Sequence, residues 1–193
     1  MLVVTGFSGK TQTLETVIQK GHELAVVAVS ISPDTNFVAT ASKDKSVKLW
    51  ELSTGREIRS FLGHEMTVTS LDFSPDGKFI VSGSYDKSVR VWEVESGSEV
   101  YSTLTEDFIT AVAFDPQGKF FVTAGYNRTG YQDSATVFDF KTKRKIIRLP
   151  IDADEGRGFG VSLAVSNDGK WIGFGEDNRL VNIYKTDNWQ KVH

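Results

Sequence analysis

The sequence predicts an all-β repeat array, built from four-stranded antiparallel units laid end to end. Two observations carry that expectation. First, residue types recur at one interval: His64, Pro75, Asp86 and Trp92 follow His22, Pro33, Asp44 and Trp50 by 42 positions each. A period in this range marks stacked supersecondary units, none of which buries its apolar face alone. Second, apolar residues inside the unit come in short bursts, such as Phe79-Ile80-Val81 and Val89-x-Val91, set apart by turn formers. The bursts have strand length and β-branched content, and no helical period runs through them.

Taken in order, residues 2–7 read as a strand, 8–10 as a turn and 13–18 as a second strand, so 1–20 form half a unit. Residues 21–62 form the first whole unit, with strands near 25–31, 37–42, 47–51 and 57–62. Ser32-Pro33-Asp34, Lys43-Asp44-Lys45 and Ser53-Thr54-Gly55 join them. These are turn residues, because Pro presets φ, Gly accepts positive φ and Asp caps its own turn. Residues 63–104 repeat the pattern. Residues 105–150 keep Asp115-Pro116-Gln117-Gly118 but carry Glu106 where His is expected and Phe138 where Trp is expected. Five extra residues around 126–133 make the turn between the second and third strands an elaborated loop. Residues 151–193 align Asn167-Asp168-Gly169 with Pro75-Asp76-Gly77 and Tyr184 with Trp92. Their lead-in is lengthened around Asp152 to Gly158, and they stop where a fourth strand would begin.

Gly-His before the first strand, Ser-Pro-Asp-Gly between the first two, and Ser-x-Asp ahead of Val-x-Val-Trp resemble the WD40 repeat of β-propellers. Trp50-Glu51 and Trp92-Glu93 stand where the family has Trp-Asp. The resemblance covers essentially the whole chain and is closest in 21–62 and 63–104. It implies a WD40-type β-propeller of about four and a half blades. Propellers of this family most often close with seven blades, and an open arc leaves sheet edges and faces uncovered. The expected arrangement is therefore part of a larger ring, with the remainder supplied elsewhere; a small ring closed by the N-terminal strands is the alternative.

Composition narrows the function classes. Apolar residues make up 39% and charged residues 24%, and the formal net charge is −3, so no global attraction to nucleic acid or anionic lipid exists. The absence of cysteine removes disulfides, thiolate metal sites and a thiol nucleophile. The N-terminus lacks the basic leader and apolar core of a secretory signal, and no run approaches membrane-spanning length. An intracellular location is the expectation for such a chain.

His22, Ser42, Asp44 and Trp50, and likewise His64, Ser84, Asp86 and Trp92, combine Ser, His and Asp as a catalytic set would. The resemblance instead implies a structural hydrogen-bond relay from the His through Ser and Asp to the indole nitrogen. A buried indole N–H needs an acceptor, and duplication at one spacing argues against a single nucleophile. Gly9-Lys10-Thr11 lacks the upstream Gly and following helix of a phosphate loop, and Gly156-x-Gly158-x-Gly160 lacks the helix of a dinucleotide site. Asp152, Asp154 and Glu155 do not follow a calcium-loop pattern. Asn127-Arg128-Thr129 matches a glycosylation acceptor that matters only on secretion. Lys141, Lys143, Arg144, Lys145 and Arg148 make a basic hairpin, read as a charged turn blunting an edge strand or, alternatively, as a patch for phosphate-bearing partners.

The two insertions are the sharper signal. In an antiparallel blade, the loop entering strand one and the turn between strands two and three lie at the same end, so both insertions share one face. They carry Tyr126, Arg128, Tyr131, Arg157 and Phe159, the residue types that dominate interface hot spots. The resemblance thus implies a non-catalytic protein-interaction scaffold or adaptor, without cofactor or metal. Its partners are other proteins or peptides, the rest of the propeller, or a second copy. The alternative is the sensor array of a larger multidomain effector enzyme.

Overall fold

The computed structural model describes residues 21–127, 132–150, 161–176 and 181–192, and the strands expected within residues 1–20 lie outside them. Every described strand belongs to one of four antiparallel sheets, each in sequential strand order. The first holds β1 (Val26–Ile31), β2 (Phe37–Ser42), β3 (Val47–Glu51) and β4 (Glu57–Phe61). The second holds β5 (Val68–Phe73), β6 (Phe79–Ser84), β7 (Ser88–Glu93) and β8 (Glu99–Leu104). The third holds β9 (Phe108–Phe114), β10 (Phe120–Asn127), β11 (Gln132–Asp139) and β12 (Lys145–Pro150). The fourth holds β13 (Val161–Val165), β14 (Trp171–Glu176) and β15 (Val181–Lys185), with one further bridge between Tyr184 and Lys191.

Turn chemistry fixes these boundaries. In the turn after β5, Ser74 Oγ donates to Asp76 Oδ1 at 2.6 Å and accepts from the Phe79 amide at 2.9 Å, while Gly77 supplies a φ of 71°. Ser32 and Asp34 repeat that bonding after β1, and there Thr35 takes the left-handed position at φ 59°.

The sheets stack through one recurring pair of faces. Ala39, Ala41, Val47 and Leu49 of the first sheet cover Val68, Leu71, Phe73, Ile80 and Trp92 of the second. Val81, Val89 and Val91 of the second sheet cover Ile109, Val112, Phe114, Phe121 and Phe138 of the third. Val122, Ala124, Ala135 and Val137 of the third sheet cover Ile172, Phe174 and Tyr184 of the fourth. Small residues on the covering face and large ones on the covered face give close interdigitation. The first strands of successive sheets are also stitched by polar contacts. Asp72 on β5 accepts from Ser30 Oγ of β1 at 3.2 Å and from the Phe114 amide of β9 at 2.9 Å. Burial pushes its carboxyl pKa up, and these bonds only partly oppose that.

One expectation changes in the third sheet. Residues 126, 127, 132 and 133 of the expected loop belong to the hairpin: β10 and β11 run eight residues each, with Tyr126 opposite Asp133 and Asn127 opposite Gln132, and residues 128–131 lie outside the described ones. Added residues that alternate with strand-forming types extend the ladder, because each pair satisfies its own backbone groups.

Candidate interaction face

Each of the first two sheets carries a chain of hydrogen bonds at the end where the chain enters the first strand. In the second sheet, Trp92 Nε1 donates to Ser82 Oγ at 2.8 Å, Ser82 Oγ meets His64 Nε2 at 2.8 Å, and His64 Nδ1 meets Asp86 Oδ2 at 2.9 Å. The first sheet repeats it with Trp50, Thr40, His22 and Asp44 at 2.8, 2.7 and 2.8 Å. The indole must donate, so the hydroxyl accepts from it and gives its own proton to Nε2, leaving Nδ1–H to donate to the carboxylate. Every group is then satisfied in one direction.

The hydroxyl in this chain is a correction to the sequence reading. Thr40 and Ser82 occupy it, whereas Ser42 and Ser84 stand two residues further along their strands. Ser42 Oγ donates to the Leu24 carbonyl at 3.2 Å and Ser84 Oγ to the Met66 carbonyl at 3.3 Å, and each accepts from the amide of Asp44 or Asp86 at 3.1 Å. They fasten the lead-in segment to the turn. Ser82 is fully buried and committed to the indole and imidazole, so it offers no exposed nucleophile.

The carboxylates close the clamp. Asp86 accepts from His64, from the Ser88 hydroxyl at 2.6 Å, and from the amides of Glu65 and Ser88 at 2.8 and 2.7 Å. Burial pushes its pKa up, but these four donors outweigh burial and hold the carboxyl well below the usual range. Asp44 behaves alike, with burial opposed by the Ser46 hydroxyl and amide, His22 and the Glu23 amide. A folded pKa below the unfolded one contributes stability above the ordinary value of 3.8, lost as the pH falls below it. Acid titration of unfolding free energy is therefore expected to show a fall beginning near that value; Asp44→Asn with Asp86→Asn should flatten it.

The third sheet replaces the clamp. Sheets two and three are offset by 41 residues, since Ile109 pairs with Gly125 as Val68 pairs with Ser84. The residue matching His64 is accordingly Thr105, not Glu106. Thr105 Oγ1 donates to the Lys87 carbonyl at 3.0 Å. Phe138 has no N–H, so no hydroxyl–imidazole chain is required beneath it. Arg148 instead reaches Asp107 at 3.0 and 3.1 Å and Ser134 at 2.9 Å, with Glu106 as a further ion pair, and Ser134 also bonds Asp107. Burial raises the Asp107 pKa, while Ser134 and Arg148 oppose it. In the fourth sheet, the Tyr184 hydroxyl donates to the Pro150 carbonyl.

The expected partner-binding residues divide. Arg128, Tyr131, Arg157 and Phe159 lie outside the described residues. Tyr126 is 9% exposed, stacked on Phe108 at 5.4 Å and edge-on to Tyr85 at 6.5 Å, so its ring is packing material rather than an exposed contact. The basic hairpin is also smaller than its sequence suggests. Arg148 is turned to its carboxylates, and Lys143 lies over the Phe140 ring at 3.4 Å, where burial pushes its pKa down to about 8 against the pull of Asp139. Sequence reasoning missed Leu24 and Met66. Each follows a clamp histidine by two residues, and they are 58% and 47% exposed; their 42-residue spacing is the signal that marks them.

Among the described residues no cluster of His, Cys, Asp and Glu is arranged to hold a metal ion, and no helix is long and apolar enough to cross a membrane. The WD40 family profile, described as WD domain, G-beta repeat, matches residues 12–51, 55–93 and 98–131. A ribosome biogenesis protein BOP1 homolog of Drosophila virilis is 44% identical over 48 residues, 25% of this chain and 6% of the relative. The BOP1 homologs of Drosophila ananassae and Drosophila melanogaster are 42% identical over 48 residues, with the same coverage. The chain thus matches only 6% of the length of these curated relatives.

Proposed function

The chain belongs to the WD40 repeat family, and from that premise we propose that it is a non-catalytic, intracellular protein-interaction scaffold whose contact face is the clamped end of its sheets. The observation that carries this reading is the His–Asp clamp. It ties the lead-in of a sheet to the turn between that sheet's second and third strands, at 2.8 Å in sheet one and 2.9 Å in sheet two. Loops held on a rigid scaffold bind with little ordering cost. Leu24 and Met66 stand beside the clamps as exposed apolar contacts, and the strand ends flanking residues 128–131 and 151–160 open toward the same end.

The test compares the two ends of the sheets. Leu24→Asp with Met66→Asp, and separately Tyr131→Ala with Phe159→Ala, are expected to reduce recovery of bound proteins about tenfold or more, as hot-spot loss does. Leu52→Asp, at an exposed residue beyond the opposite end, should leave recovery unchanged. The relatives' role in ribosome biogenesis makes co-sedimentation with preribosomal particles the first assay. Equal recovery from all variants overturns the face.

A further inference from the structure

Each end of the stack of described sheets carries one half of the interface that joins those sheets. On the first sheet, Val26, Val29 and Ile31 stand 42 residues before Val68, Leu71 and Phe73. The latter three are covered, at 0, 5 and 4% exposure, whereas Val26, Val29 and Ile31 are 51, 65 and 56% exposed. On the fourth sheet, Gly173, Gly175, Val181 and Ile183 correspond to Val81, Gly83, Val89 and Val91, the covering face of the second. Val181 is 54% exposed.

The glycines add an independent observation. A Cβ on Gly83 would lie 2.4 Å from Ile109 Cγ2 and 2.8 Å from Val112 Cγ1, so glycine is what lets the third sheet approach. Gly175 keeps glycine at the same place, yet nothing lies within 4 Å of where its Cβ would be. A strand-interior glycine weakens its strand unless another surface approaches closely. Carrying the register across, the surface that suits Gly175 presents the counterparts of Ile109 and Val112, which are Val26 and Val29.

We infer that two copies of this chain join head to tail, the fourth sheet of each covering the first sheet of the other. Two stacks of the four described sheets make eight, within the four to eight blades that propellers use. A twofold axis through the ring makes both junctions equivalent, so the assembly closes at two copies instead of growing into a filament. The covering and covered faces are apolar and already fit each other three times within the described stack. This inference stands apart from the clamped-end reading and shares no residue with Leu24 or Met66.

Sedimentation equilibrium of the 193-residue chain is expected to give twice 21.4 kDa. Val29→Glu and Gly175→Arg, each at a position with open space around it, should separately return the mass to 21.4 kDa without changing the β-sheet circular dichroism. Ile109 Cβ lies 3.2 Å from the Gly83 Cβ position, close to the ~3.5–4.5 Å of a disulfide. Since the chain has no cysteine, Val26→Cys with Gly175→Cys should form an oxidised dimer on a non-reducing gel, and each single variant should not. Four results would each overturn the inference. They are a monomeric unmodified chain, an assembly larger than two, a dimer indifferent to both face substitutions, and an intramolecular link in the double-cysteine chain.

Discussion

Gly125→Ala is expected to destabilise the fold by about 3 kcal/mol, lowering Tm by roughly 10 °C. The position lies at a register shift between β9 and β10, where the strands approach so closely that a Cβ would fall 2.2 Å from the Phe108 carbonyl oxygen and 3.1 Å from Ile109 Cα. Those are backbone atoms, so relief requires moving a whole strand, and β9 packs against β5 and the fourth sheet. Gly173→Ala is the matched control. Within the chain its Cβ meets open space, alanine is smaller than the Val81 that holds the same place in the second sheet, and it reduces the freedom of the unfolded chain, so stability should be unchanged or raised by about 0.5–1 kcal/mol. Denaturant unfolding monitored by tryptophan fluorescence measures both. Equal midpoints for the two variants would mean that the β9–β10 contact is not rigid.

Asp86→Ala carries the second large effect, a loss of about 3 kcal/mol, because it removes the shared acceptor and leaves the buried His64 imidazole and the buried Ser88 hydroxyl and amide unsatisfied, while the exposed Glu65 amide turns to water. Asp44→Ala should cost less, since the first-sheet chain of bonds ends on a half-buried Trp50 where the second ends on a buried Trp92. Trp92→Phe deletes the donor at the other end of the chain. If the four groups act as a unit, combining Asp86→Ala with Trp92→Phe costs less than the sum of the two single changes, with a coupling of about 0.5–3 kcal/mol. Strict additivity would reduce the clamp to independent contacts. The deficit of Asp86→Ala should also shrink below the carboxyl's ordinary 3.8, where the unmodified chain begins to lose the same contribution.

The strands of the first two sheets were legible because their turns repeat: Ser-Pro-Asp and Ser-x-Asp punctuate each unit at the same places, and boundaries read from them agree within a residue or two. The relay hydroxyl was legible in principle too. Trp50 pairs across the strands with Val38, so its indole leans to the diagonal neighbour Thr40, while Ser42 lies beyond the last paired position of that hairpin. Family resemblance named a serine, but register selects the hydroxyl. At Tyr126 the added length and nearby Asn-Arg-Thr-Gly suggest a loop contact. The alternation of Val122, Ala124 and Tyr126 with Phe121, Thr123 and Gly125 is instead that of a strand. Arg148 differs from its sequence expectation for another reason. Its charged neighbours in sequence are Lys141, Lys143, Arg144 and Lys145, whereas its carboxylates lie about one unit earlier, a distance at which local charge clustering carries no information.

The recurring pair of faces makes the unit copyable by the genome. Duplicating residues 21–62 in frame would insert a sheet whose covered face, Val26, Val29, Ile31, Val38 and Trp50, matches in type the Val68, Leu71, Phe73, Ile80 and Trp92 that the first sheet already accepts. Its covering face would be identical to the one the second sheet already meets. Unequal recombination between such units therefore changes the number of sheets without creating a mismatched contact, and a lineage can gain or lose whole repeats while each junction remains native.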